Sequence, residues 1–283
     1  MVAEMIAMHA VGPARPETSF ELALEEEDVG ARGFQILLSC ERHEGRGGLG
    51  VDWGDGTWNE WTDRGRFVLW HDYAAPGTYR VRMDAGLKWF RLDDAYAVTP
   101  TGALLRRPSV RPLAWGDSVE SARATYFGWN KWYGDMKGVW GEPPPWGRNI
   151  RTALGCYEGS RGVSGSVPGW PPLIADCTKA FRGTAVRGRI PAWPPGVVAV
   201  AGCYEDCAGL SGTIPPWSAS LGDAERVYAG CTGLAGAWTE DVALLAPADV
   251  KLRDGAVEGA SDALRRLFPA DWGGNRLETG GEP

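Results

Sequence analysis

The order of apolar and polar positions changes character about a third of the way along the chain. In "ETSFELAL" (17–24), Phe20, Leu22 and Leu24 fall on one face of an extended chain. Leu49, Val51 and Trp53 alternate in the same way, as do Tyr79, Val81 and Met83. Period-2 runs of this length predict half-buried strands. "FQILL" (34–38) and "FVLW" (67–70) are continuous apolar runs that suit core strands, and "GDG" (54–56) and "APGT" (75–78) supply turns between them. Five or six short strands predict a β-sandwich of about 85 residues.

Beyond about residue 115 the pattern becomes a long period. Tyr133, Tyr157, Phe181, Tyr204 and Tyr228 are 24, 24, 23 and 24 residues apart. Trp146, Trp170, Trp193, Trp217 and Trp238 are 24, 23, 24 and 21 apart, and Gly165, Gly188, Gly212 and Gly236 are 23, 24 and 24 apart. A shared period in the twenties predicts stacked repeats whose apolar faces are buried only against their neighbours. Val200, Cys203, Tyr204 and Cys207 stand at i, i+3, i+4 and i+7, as do Ala224, Val227, Tyr228 and Cys231. That spacing predicts one face of a short helix in each repeat. Phrases such as "LSGTIPPW" (210–217) then predict a short extended segment and a closing turn. "SDALRRLFPADWGG" (261–274) reads as a C-terminal cap opened by Ser261.

The expected fold is therefore mixed. A β-sandwich (1–98) is followed by a Pro-containing linker (99–114). A solenoid of about five repeats of 23–24 residues, each a short helix and a short strand, comes next (115–274), then a flexible tail (275–283).

Two groups of phrases carry family resemblances. "VDWGDGTW" (51–58) and "HDYAAPGTYRVRM" (71–83) resemble the polycystic-kidney-disease (PKD) type of immunoglobulin-like domain, through Trp53, Gly54, Asp55 and Gly56, His71 and Tyr73, and Gly77, Tyr79 and Val81. That resemblance implies a spacer or protein-contact module without catalysis. "CYEDCAGLSGTIPPW" (203–217) and "VYAGCTGLAGAW" (227–238) resemble BspA-like leucine-rich repeats. That resemblance implies a binding array.

Composition and charge narrow the function. The chain has 283 residues, a formal net charge of −7 and no Lys/Arg cluster of the kind that tracks a phosphate backbone, so no nucleic-acid partner is expected. No apolar run approaches the ~20 residues of a membrane helix, and the opening residues do not read as a secretory signal. The six cysteines (40, 156, 177, 203, 207 and 231) are expected as reduced, buried thiols, those of the repeats at repeat-equivalent positions, rather than as zinc ligands.

Asp52 and Asp55 could hold a cation, but Asp-Gly turns use such carboxylates locally. His71 reads as a structural histidine. No nucleophile elbow, P-loop, zincin or dinucleotide motif occurs. The adjacent acids Glu205/Asp206 and Glu240/Asp241 are the remaining carboxylate pairs suited to glycoside hydrolysis.

The expectation is a non-enzymatic protein with no cofactor and no metal. Its candidate ligand-binding residues are Trp146, Trp170, Trp193, Trp217 and Trp238, whose rings either seal one flank of the repeats or present an exposed strip. The expected partner is a protein or glycan on a cell surface, or a neighbouring subunit of a particle. The expected setting is a phage or prophage tail assembled in the cytoplasm, with a bacterial cell-surface adhesin as the alternative and a carbohydrate-active enzyme as the third reading.

Overall fold

The computed structural model describes residues 17–275, apart from 27–28, 30–33, 45–47, 63–64, 85, 93–96, 99–103, 106–108, 127–137 and 248. The N-terminal part contains β1 (Thr18–Leu24), β2 (Phe34–Arg42), β3 (Leu49–Asp52), β4 (Trp58–Trp61), β5 (Arg66–Tyr73), β6 (Gly77–Met83), β7 (Leu87–Arg91), β8 (Ala97–Val98), β9 (Leu104–Leu105) and β10 (Ser109–Ala114). One antiparallel sheet runs in the order β10-β1-β6-β3-β4, a second runs β5-β2-β7, and β8 pairs with β9. Phe20, Leu22, Leu49, Val51, Val81 and Met83 from the first sheet meet Ile36, Leu38, Leu69, Tyr73 and Phe90 from the second in one buried cluster.

The W-G-D-G turn is tied to β5. The His71 ring stacks on Trp53 at 4.8 Å, its Nε2 lies 2.7 Å from the Asp55 carboxylate, and the Tyr73 hydroxyl donates to the Trp53 carbonyl at 2.9 Å. Partial burial works against the Asp55 carboxylate. Hydrogen bonds from Thr57 and His71 outweigh it and hold its pKa below the ordinary aspartate value. The Asp52 Oδ1 accepts the Gly54 amide and its Oδ2 lies 3.8 Å from Arg82, so both acids of this turn serve the turn itself.

The C-terminal part contains five short strands, β11 (Trp140–Gly141), β12 (Gly162–Ser166), β13 (Ala185–Arg189), β14 (Leu210–Ile214) and β15 (Leu234–Ala237), forming a parallel sheet in chain order. A second row of parallel bridges links Ser121, Thr152, Asp176, Ala199, Asp223 and Leu252 on successive coils.

The expected repeat helices are absent. Among the described residues the α-helices are α1 (Val242–Leu245) and α2 (Asp262–Arg265), both outside the repeated motif. The expectation of a short-helix/short-strand leucine-rich-repeat solenoid is therefore corrected: the coils are strands and turns stacked in parallel. The reason lies in the backbone. In one coil, the amides of Lys179, Phe181 and Gly183 donate across to the carbonyls of Ala201, Cys203 and Glu205. The intervening amides of Ala180, Arg182 and Thr184 donate back three residues to Cys177, Lys179 and Phe181. An α-helix would need every amide for its own i−4 carbonyl. The apolar i, i+3, i+4, i+7 set is real, but it follows a chain of turns that points those side chains inward. Two left-handed residues per coil enforce the turns, for example Gly202 (φ 56°) and Asp206 (φ 61°). Lys179 and Arg226 occupy the first of these sites at φ 55° and 53°, although such a conformation costs a non-glycine residue about 1–2 kcal/mol.

The first coil begins earlier than the spacing predicts. Tyr126, not Tyr133, stacks on Tyr157, at 5.5 Å and an interplanar angle of 3°, and Trp115 stacks on Trp146 at 5.8 Å. Both rungs are 31 residues from their partners, so seven extra residues fall between them. Tyr133 lies outside the described residues.

The segment read as a linker contains β10, which pairs with β1 on one side and bridges Val110 to Val139 in parallel on the other. The first antiparallel sheet therefore runs on into the repeat sheet. Phe90 packs against both Trp115 and Tyr126, and Thr125 Oγ1 donates to the Phe90 carbonyl at 2.9 Å, so one core spans the junction. At the far end Ser261 caps α2 by accepting the Leu264 amide, and Leu264, Phe268 and Trp272 cover the last coil. Of the expected tail, residues 276–283 lie outside the described residues.

Gly183 separates turn from helix by the sign of a single substitution. Its φ is 67°, and an added Cβ would meet nothing closer than 3.9 Å. Gly183→Ala is expected to destabilise by about 1–2 kcal/mol, the cost of a left-handed alanine. In a helix interior the same change would stabilise by about 1 kcal/mol. Urea unfolding of the two proteins measures the difference.

Candidate functional site

The five candidate tryptophans do not form an exposed strip. Trp146, Trp170 and Trp193 are only 9%, 9% and 8% exposed. Trp146 stacks on Trp170 at 5.6 Å and Trp170 on Trp193 at 5.7 Å, with interplanar angles of 11° and 17°. Each ring also touches the adjoining Tyr/Phe column, as Trp193 does at Tyr204. The cause is the turn after each strand, which folds the indole inward over the ring of the preceding coil.

Trp217 is half-buried and leaves this stack. It lies on Tyr228 at 5.6 Å, and its Nε1 donates to the Leu245 carbonyl at 2.8 Å. Trp238 meets Trp217 edge-on and follows β15 directly. It stands two residues after Gly236, whereas Trp170, Trp193 and Trp217 stand five after their glycines, so it is not a member of the column. The column supplies apolar area and ring contacts to the core.

Of the paired acids, Glu205 is buried and ion-paired, whereas Asp206, Glu240 and Asp241 are exposed. Glu205 accepts Arg182 at 2.8 Å and Arg226 at 2.7 Å, in a chain that continues from Arg182 to Glu158 at 3.3 Å and from Arg226 to Glu258 at 2.6 Å. The bond to Glu205 raises the Arg226 pKa further. Asp206 holds a left-handed turn position, and Asp241 accepts the Ala243 amide at the start of α1. Alternating charges on successive coils thus tie one flank of the stack together.

The strands expose a different surface. Val163, Val186, Leu210 and Leu234 point into the core. Their neighbours around the central glycine point outward: Ser166 on β12, Arg187 and Arg189 on β13, and Ser211 and Thr213 on β14 are all exposed. In the sheet Ser166 pairs with Arg187, and Arg189 with Ser211. The same phrases that announced the repeats contain this face, since "VSGSV", "VRGRI" and "LSGTI" read in-out-Gly-out-in. No spacing marked Trp140, at the sandwich end of the sheet. It is 37% exposed, and the Arg111 guanidinium stands 5.3 Å from its ring centroid. Beside it opens a groove of about 540 Å³, walled by Leu113, Glu142, Pro143, Pro145 and Pro168. That volume falls within the range of small-molecule sites. On the N-terminal part, Trp58, Val68 and Trp70 are exposed by 60%, 46% and 61%.

The cysteines belong to the interior. All six are buried, and none is in a disulfide. Cys207 and Cys231 donate to the carbonyls of Phe181 and Tyr204, each at 3.0 Å. Burial pushes the thiols of Cys40 and Cys207 up to about 12 and about 11, and raises the other four as well. The thiolate is the nucleophile and metal ligand, so this environment favours the inert form. Among the described residues no group of three or more His, Cys, Asp or Glu is placed to hold a metal ion. Thiol titration of the denatured, unreduced protein is expected to count six, with no stoichiometric zinc by elemental analysis. A count of two or fewer, or one zinc per chain, contradicts the assignment.

Comparison of the chain with protein-family models, curated proteins and solved structures gives no significant match.

Proposed function

We propose that this chain is a non-enzymatic binding protein that contacts its partner through the outer face of the parallel sheet, with the N-terminal sheets holding that face in place. One observation carries the reading. The tryptophan column, Tyr/Phe rings, thiols and Glu205 of the repeats are used in packing, whereas the outward row from Trp140 through Arg187, Arg189, Ser211 and Thr213 is open to solvent. A stack of coils makes such a face long and continuous. The partner is a glycan or protein of a cell surface.

Six buried thiols, none in a disulfide, support folding in a reducing compartment. They favour a component of a particle assembled inside a cell, such as a phage or prophage tail, over an exported adhesin.

The test is binding of the full chain to a panel of bacterial cells and surface polysaccharides. The triple variant Trp140→Ala, Arg187→Gln, Arg189→Gln is expected to melt with the parent and to lose at least tenfold in affinity. A Val68→Ser, Trp70→Ser variant is expected to bind normally. If the triple variant binds fully while the Val68/Trp70 variant does not, the contact lies on the N-terminal part and the reading fails.

A further inference from the structure

Arg187 and Arg189 are exposed on a chain whose net charge is −7. They stand two residues apart on β13, about 6.6 Å along the strand, with both side chains on the outer face. Four arginines of the stack meet acids: Arg182 and Arg226 share Glu205, Arg148 meets Asp117 and Arg253 meets Asp271. Among the described residues neither Arg187 nor Arg189 has an ion pair or a side-chain hydrogen bond. Two exposed cations side by side on one strand face make a complementary surface for an anion. Guanidinium groups hold carboxylates through paired N–H donors.

The neighbours restrict which anion. Ser166 lies beside Arg187 and Ser211 beside Arg189, so hydroxyls flank both cations. Two strands away and four positions back along the strand, roughly 16 Å by the strand rise and interstrand spacing, Trp140 presents an aromatic ring next to the exposed Glu142 carboxylate. An acidic peptide binding by strand addition would need a free sheet edge. Here β11 abuts β10 through the bridge at Val139, and Ser261 Oγ donates to the Leu234 carbonyl on β15. The face is also open and polar.

We infer that this face binds a carboxylate-bearing polysaccharide. The sugar carboxylates pair with Arg187 and Arg189. A pyranose ring stacks its C–H face on Trp140, and sugar hydroxyls donate to Glu142 and exchange hydrogen bonds with Ser166 and Ser211. The assignment rests on the proposed binding role of the sheet face and adds its ligand class.

The experiment is calorimetric titration of the full chain with tetragalacturonate, with neutral cellotetraose of equal length and with poly-L-glutamate. Tetragalacturonate is expected to bind, more weakly as salt rises. Arg187→Gln/Arg189→Gln is expected to weaken it at least tenfold and Trp140→Ala several-fold, with unchanged melting. Cellotetraose is expected to bind at least tenfold more weakly than tetragalacturonate. No binding of tetragalacturonate, or binding indifferent to the arginine variant, overturns the inference. Poly-L-glutamate held by the same arginines, with Trp140→Ala without effect, overturns the sugar assignment but leaves the sheet face as a binding surface. The binding role itself falls only if the triple variant keeps its partner on the cell and polysaccharide panel.

Discussion

The repeat architecture depends on how each coil divides its backbone amides. Every second N–H around the aromatic rung donates to the next coil, and those between donate three residues back. The first set locks neighbouring coils in register. The second keeps the chain turning within its own coil. A coil without a neighbour would leave the first set without a protein partner, so stability comes from stacking. The left-handed conformations of Ala124, Lys179, Asp206 and Arg226 are the local cost of this arrangement, held in place by the bonds they allow.

Side-chain order follows from that backbone. With the coils in register, identical positions fall above one another, so any favourable like-to-like contact repeats. The Tyr/Phe column stacks from Tyr126 to Tyr228, the Trp column from Trp115 to Trp193, and acids and arginines alternate from Glu158 to Glu258. The N-terminal sheets close one end because β10 pairs with β1 and bridges to Val139, and the Ser261 cap closes the other. The outer strand face stays exposed to solvent.

The period was legible because Trp, Tyr and Gly each keep it independently. The backbone was not. A seven-residue apolar set fits a helix face as well as a run of inward-pointing turns, and only the glycines at four-residue intervals, such as Gly155 and Gly159, argued against a helix. The first rung was misplaced because Tyr133 happens to keep the 24-residue spacing, while the true rung, Tyr126, sits beyond an insertion. Its partner Trp115 carried the same offset, which was the available signal. Trp238 matched by residue type but not by its distance from Gly236. As for the site, Trp is large and apolar enough to serve equally as core or as platform, so sequence left both readings open. Burial of Trp146, Trp170 and Trp193 decides it. The arginine pair was visible in "VRGRI" as two outward positions, but that it has no acidic partner is a property of three-dimensional placement.

The most direct measurement is NMR detection of scalar couplings across the hydrogen bonds of an isotope-labelled chain. The account predicts couplings from the amide nitrogen of Phe181 to the carbonyl carbon of Cys203, and from Tyr204 to Val227, each to a residue more than twenty positions ahead. Couplings from these amides to the carbonyls four residues behind would show that the coils are helices, and would contradict it.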